Sequence, residues 1–210
     1  KGSQPTDNGN LIFTNAEKND FLKTEPDAKR FFKRLISAKE YLNNEKRWCL
    51  WFKEAKPEDI RNMPHVMERI EKVKQFRLSS SRPQTLKSAD VPALFYEIRQ
   101  PVSNYILIPR VTSENRKYVP FSFFSPDYIV HDTCTCIPNA TLYHFGALSS
   151  KMHMVWMKYV CGRLKSDFRY SNDIVYNNFP WPDKPSEKNF KTVEQAAQKV
   201  LDTRKEFSDS

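Results

Sequence analysis

The sequence predicts an α+β fold, in which a β-rich unit is flanked by helices and followed by a helical C-terminal portion. Three observations carry this prediction. Residues 91–145 hold short β-branched or aromatic runs punctuated by Pro, Ser and Asn, the pattern of strands joined by turns. On either side, apolar residues recur at helical spacing. With 210 residues, 39% of them hydrophobic and including 15 Phe, nine Tyr and four Trp, the chain can bury one good core or two small ones.

Taken in order, residues 1–14 read as an extended polar lead-in ending in Leu11-Ile12-Phe13. Residues 15–45 read as helical, with Phe21, Leu22, Phe31, Phe32, Leu35 and Ile36 set among charges. Pro26 is expected to open a second helix there, at a first-turn position where its missing N–H costs nothing. RWCLWF (47–52) alternates large residues without a helical period and reads as a strand. A helix is expected over 57–78, with Met63, Met67, Ile70, Val73 and Phe76 buried and Arg61, Arg69, Lys72, Lys74 and Arg77 largely off that stripe.

Residues 79–90 are a polar connector. Strands are then expected at 95–98, 105–108, 118–124, 128–130 and 134–137, with a polar turn at 111–119. After residue 145 the period becomes helical, and Leu148, Met152, Val155, Trp156 and Tyr159 are expected to form one face of a helix ending near Gly162. His153 within it is expected to be a packed or surface histidine. A last helix over 187–207 carries the stripe Phe190, Val193, Ala197, Val200 and Leu201, which must pack on something.

Thirty-four Lys and Arg against 25 Asp and Glu give a net charge of +9, which favours encounter with polyanions. No apolar run is long enough to span a bilayer and no signal segment opens the chain, so no membrane partner is expected. Four glycines, with no GxGxxG or GxxxxGK(S/T) pattern, disfavour a nucleotide-cradling loop. Cys49, Cys134, Cys136 and Cys161 lack the density of a secreted disulfide scaffold and are expected to be reduced and buried. Cys134 and Cys136 lie near His131 and His144, but the set offers neither C-x2-C nor H-x3-H spacing, so no metal site is expected.

The segment CGRLKSDFRYSNDIVYNNFPWP (161–182) interleaves Arg163, Lys165 and Arg169 with Phe168 and Tyr170 and leads into Pro180-Trp181-Pro182. Cations beside flat rings on a braced backbone suit a nucleic-acid surface. The alternative is a solvated basic helix end leading into a packed turn.

The chain resembles the target-recognition region of the MmeI-like DNA methyltransferases, single-chain type II restriction-modification enzymes and their nuclease-lacking relatives. The matching blocks are PTDNGNLIF (5–13), RWCLWF (47–52), EIRQP (97–101), YILIPRV (105–111), IPNATLYHFGAL (137–148), MHMVWMKYVCGRLKSDFRYS (152–171) and IVYNNFPWP (174–182). Asn8 stands where the family's opening block has a second glycine. The resemblance implies that a methyltransferase domain precedes this region, with an adenine amino group as target and S-adenosylmethionine as methyl donor. An N-terminal endonuclease domain accompanies it in many members.

Residues 1–24 are then expected to be the lead-in from that domain, 25–150 the target-recognition unit, and 151–210 a helical portion completing the DNA-binding module. The expected partners are double-stranded DNA and the methyltransferase domain of the same parent chain, in the cytoplasm of a prokaryote with the nucleoid. The fragment alone is expected to be non-catalytic and to hold no cofactor. The other reading is a protein-interaction or docking module using the stripe of the last helix.

Lys151, Arg163, Lys165, Arg169 and Tyr170 are the expected phosphate contacts; packing in the core is the alternative for Tyr170. By resemblance, specificity varies around 106–110, the 112–117 turn and 136–141. The candidate base readers there are Leu107, Arg110, Ser113, Arg116, Lys117, Cys136, Asn139 and Thr141. Arg110 suits guanine and Asn139 adenine by bidentate geometry. An internal salt bridge is the alternative role for Arg110, and a turn cap the alternative for Asn139.

Overall fold

The computed structural model describes residues 1–207. The first part of the chain comprises β1 (Ile12–Thr14), α1 (Asn15–Thr24), β2 (Phe32–Ile36), α2 (Ala38–Asn43), β3 (Arg47–Leu50), α3 (Pro57–Arg61), α4 (Pro64–Leu78) and α5 (Pro83–Lys87). Five strands follow: β4 (Tyr105–Pro109), β5 (Val111–Thr112), β6 (Ser122–Phe124), β7 (Tyr128–Val130) and β8 (Cys134–Pro138). The remainder holds α6 (Leu142–Leu148), α7 (Lys151–Val160), β9 (Gly162–Leu164), β10 (Asp167–Arg169) and α8 (Glu187–Glu206). The architecture is α+β. The chain forms two compact units, residues 1–100 with 127–132 and residues 101–126 with 133–210. The last three residues of the expected C-terminal portion lie outside the described residues.

Unit 1 is built on the sheet β1-β3-β2-β7, in which β2 runs antiparallel to β3 and parallel to β7. Its core joins Leu11, Phe13, Phe32, Leu35, Leu50 and Ile129 to Met63, Val66, Ile70 and Val73. The expected helix over 15–45 is corrected. Helix α1 opens on a Thr14–Glu17 capping box and ends at Thr24, and Pro26–Phe31 forms a 3-10 turn. Residues 32–36 are a strand in register with β3, Phe32 opposite Leu50 and Leu35 opposite Arg47. Sheet pairing on both edges of β2 overrides the local helical spacing.

The expected helix over 57–78 breaks before Pro64, which cannot donate into the preceding turn and restarts the helix at its first position. Its buried stripe runs Met63, Val66, Ile70, Val73 and Arg77, while Met67 and Phe76 are exposed.

Arg77 is wholly buried, and among the described residues it has no carboxylate partner. All its N–H groups go to backbone carbonyls: Nε to Thr6 at 3.0 Å, Nη1 to Ser88 and Val91 at 2.9 and 3.2 Å, and Nη2 to Pro5 and Leu94 at 2.9 and 2.7 Å. It thereby ties the lead-in to the segment after α5. Thr6 sits at φ 45°, which a β-branched residue rarely adopts. Asn8 and Gly9, at φ 50° and 78°, supply the two positive values of a type I′ turn, so Asn8 fills the glycine position without breaking the path.

Unit 2 carries two three-stranded sheets, β6-β4-β8 and β5-β10-β9. Its core gathers Ile106, Ile108, Phe121, Phe145, Leu148, Met154, Met157, Phe168 and Val175. The face expected for α7 is corrected. Met152, Val155 and Tyr159 are exposed, whereas His153, Met154 and Met157 are buried. Most of the stripe of α8 is used within the unit: Phe190 stacks on Tyr143 of α6 with ring centroids 4.5 Å apart and Ala197 is buried, while Val200 is exposed. Gly146 of α6 permits this approach, since a Cβ there would lie 2.7 Å from Val193 Cγ1.

Candidate nucleic-acid interface

All the residues expected to contact DNA fall in unit 2. Strand β10 lies between β9 and β5, with Phe168 opposite both Arg163 and Thr112. This register brings the loop of the β9–β10 hairpin, Lys165 and Ser166, to the same end of the sheet as the turn that follows β5. Within that turn the Ser113 carbonyl accepts from Arg116 N–H at 3.1 Å and the Ser113 hydroxyl from Asn115 N–H at 3.3 Å. Glu114 N–H reaches Asp167 Oδ1 at 3.4 Å, and its carboxylate lies 3.9 Å from Arg163 Nη1.

Arg163 is braced rather than free. Its Nη1 donates to the Ser166 carbonyl at 2.9 Å, and its guanidinium lies 4.1 Å from the centre of the Phe168 ring. Lys158, which the sequence reading passed over, approaches the same ring at 5.8 Å. Its position in the last turn of α7, just before the hairpin, was the available signal. Lys165 is exposed and holds φ 55° at the first loop position. Arg116, Lys117 and Arg169 are also exposed. The sheet thus presents a basic edge drawn from two chain segments, with Glu114 and Asp167 set among the cations.

The other candidates belong to the second sheet and its outgoing loop. Cys136 lies opposite Leu107 in the β4–β8 ladder. Leu107 is 0% exposed, so as placed it cannot touch a base; it is core, contrary to expectation. Asn139 is exposed at φ 56°, a conformation that Asn tolerates, and its N–H donates to the Asn104 carbonyl at 3.0 Å. Thr141 caps α6, its N–H donating to His144 Nδ1 at 3.1 Å. Arg110 joins the two sheets, its N–H on the Thr133 carbonyl at 3.0 Å and its carbonyl accepting from Tyr170 at 2.8 Å. Lys151 is exposed on the first turn of α7, apart from both groups.

Tyr170 is likewise corrected from a phosphate contact to a core residue. It is 1% exposed, and its hydroxyl is 3.1 Å from His153 Nε2. Burial raises its phenol above the ordinary range and pulls His153 down to about 4, against a smaller upward pull from the Leu148 carbonyl. Burial also raises the Cys49, Cys136 and Cys161 thiols, which keeps them protonated. His144 serves α6 as described, and His131 lies 3.0 Å from the Asp132 carboxylate. Among the described residues no group of His, Cys, Asp and Glu is arranged to hold a metal ion, and no helix is long and apolar enough to cross a membrane.

An exposed basic sheet edge, beside a second sheet whose outgoing loop bears Asn139 and Thr141, defines a recognition module. The family model described as "MmeI, target recognition domain" matches residues 1–183, and the chain belongs to that family. It is 38% identical over 205 residues to DNA methyltransferase A of Bacillus subtilis (strain 168), covering 98% of this chain and 23% of that protein. It is also similar to the solved Type IIL restriction-modification enzyme MmeI in complex with DNA, with a TM-score of 0.96 and 45% identity over 98% of this chain and 27% of that one. The chain therefore spans about a quarter of the length of these relatives.

Proposed function

We propose that unit 2 reads the sequence of duplex DNA, positioning it for base flipping and adenine methylation by a methyltransferase domain of the same longer protein. The observation that carries this reading is the shared sheet end on which the β9–β10 hairpin and the 113–117 turn display Arg163, Lys165, Arg116 and Lys117 together. Phosphate contacts from such an edge set register, while groups beside it discriminate bases. Arg163, Lys165 and Arg169 are assigned to phosphates, with Lys151 as an outlying contact. Arg110, Ser113, Arg116, Lys117, Cys136, Asn139 and Thr141 are assigned to base selection. A good bidentate contact from Arg110 or Asn139 contributes roughly 1–3 kcal/mol of discrimination.

The organisation expected from the sequence (1–24 as lead-in, 25–150 as recognition unit, 151–210 as helical completion) divides the chain differently from the two compact units, and this proposal assigns reading to unit 2, which draws on both of the latter spans. S-adenosylmethionine belongs to the methyltransferase domain. The protein would work in the prokaryotic cytoplasm with the nucleoid. Most of the stripe that favoured a docking module, Phe190, Val193 and Ala197, packs against α6 or the core, while Val200 is exposed.

Binding to a randomised duplex pool at two salt concentrations tests the proposal. Enrichment of one short motif, with affinity falling steeply as salt rises, is expected. Charge reversal at Arg163 and Lys165 should weaken all sequences alike, whereas Arg110→Gln or Asn139→Gly should change the motif. Duplex affinity and motif untouched by all four substitutions would overturn the assignment.

A further inference from the structure

Several surface cations of unit 1 have acidic neighbours, as in Lys33–Asp127 at 3.6 Å and Lys72–Glu68 at 2.7 Å. Lys18 and Arg34 have no ion-pair partner among the described residues, yet the fold holds both against the Trp48 ring. Register places Trp48, Arg34 and Tyr128 side by side across β3, β2 and β7 on one face of the sheet. The Arg34 guanidinium lies 5.2 Å from the Trp48 ring centre and 5.8 Å from that of Tyr128. Lys18 of α1 sits 3.2 Å from the Trp48 ring. Arg34 Nε is buried and has no hydrogen-bond partner among the described residues, so it is not itself placed to touch DNA; the terminal guanidinium nitrogens are the donors left to do so. After desolvation, repulsion from Lys29 and Arg34 is what holds the Lys18 ammonium below its ordinary pKa.

The rings fix the cations in place but leave their N–H donors unmatched and their charges unneutralised. A planar guanidinium held by aromatic neighbours keeps its in-plane donors for a bidentate oxyanion. We propose that Lys18, Arg34 and Trp48 bind phosphodiester oxyanions of duplex DNA, giving unit 1 a phosphate contact of its own. The choice of DNA as the source rests on the reading of unit 2 given above; the oxyanion chemistry does not. Trp48 contributes a partly exposed ring beside the site and an optical signal within it.

The test is a salt series of duplex binding by the protein, its Lys18→Gln, Arg34→Gln and Arg34→Lys variants, with Trp48→Phe identifying the Trp48 component of the emission. Each Gln variant should reduce the slope of log affinity against log salt by about 0.9 while leaving the enriched motif unchanged. Arg34→Lys should keep the slope with weaker binding, and DNA should change the Trp48 emission. Thermal melting alongside separates lost contacts from lost fold: a reduced slope counts for the proposal only in variants that melt with wild type. Unchanged slopes in Gln variants of a wild type that enriches a motif would overturn this site and leave unit 2 standing. Reduced slopes without any enriched motif would support this site and sink the reading of unit 2. No duplex binding by wild type would overturn both. A Trp48 response to inorganic phosphate or polyglutamate but not to DNA would overturn the assignment to nucleic acid.

Discussion

The buried hydroxyl of Tyr170 lies 3.1 Å from Nε2 of His153 and shares a hydrogen bond with it, joining the residue after the basic hairpin to the helix that precedes it. On the other side of the ring, Nδ1 is buried with no hydrogen-bond partner among the described residues. The Phe121 and Phe179 rings close around His153, at centroid distances of 6.1 and 4.8 Å.

This pair makes stability depend on pH. His153 titrates at about 4 when folded against 6.5 in its ordinary state, so below 6.5 the unfolded chain takes up a proton that the folded one refuses. The contribution is fully present above pH 6.5 and is lost as pH falls toward 4, amounting to roughly 3 kcal/mol. Chemical denaturation across that window should reveal the decline, and His153→Leu should remove this part of it. Tyr170→Phe should cost about 1 kcal/mol with duplex binding retained; selective loss of DNA affinity in a folded Tyr170→Phe protein would contradict its placement in the core.

Lys165→Gly separates charge from conformation. Glycine adopts φ 55° without strain, so the hairpin should be at least as stable, by up to about 1 kcal/mol. Removing the cation should nonetheless lower the salt slope of duplex binding by about 1. A melting curve and a salt series on the same preparation check both halves.

Arg77→Met should destabilise unit 1 by roughly 3 kcal/mol or more, because it strips donors from the carbonyls of Pro5, Thr6, Ser88, Val91 and Leu94 at once. Amide exchange in 3–7 and 88–95 should accelerate more than in β3.

Gly146→Leu should force α6 from α8 and cost on the order of 1–3 kcal/mol. Limited proteolysis checks this, with cleavage expected to rise within α8.

The fold class, β3–β4, β7, β8 and α8 were legible because their runs match one period and are bounded by turn residues. Strand β2 was not: FKRLI has helix-compatible spacing, and only its partners Leu50 and Val130 make it a strand. The phase of α7 was lost because MHMVWMKYV is apolar almost all round, and a buried His153 counted as polar. Arg77 was assigned to the charged face because a sequence does not show where five carbonyls converge. The basic segment was legible by composition, but its hairpin was hidden, since Lys165-Ser166 contains neither Gly nor Asn to announce a positive φ. Leu107 and Tyr170 were assigned contacts their burial withholds.

Strand β7 has a consequence for how specificity can be inherited. It completes the sheet of unit 1, yet it is encoded between β6 and β8 of unit 2, and Gln100 clasps it through the Tyr128 carbonyl and the Val130 N–H at 2.8 and 2.9 Å. A crossover exchanging everything after residue 100 as one block would hand unit 1 a foreign edge strand, with the Arg34–Tyr128 pairing in it. Exchanging 101–126 and 133–210 while keeping 127–132 leaves the sheet of unit 1 with its own edge strand, which a continuous cassette does not.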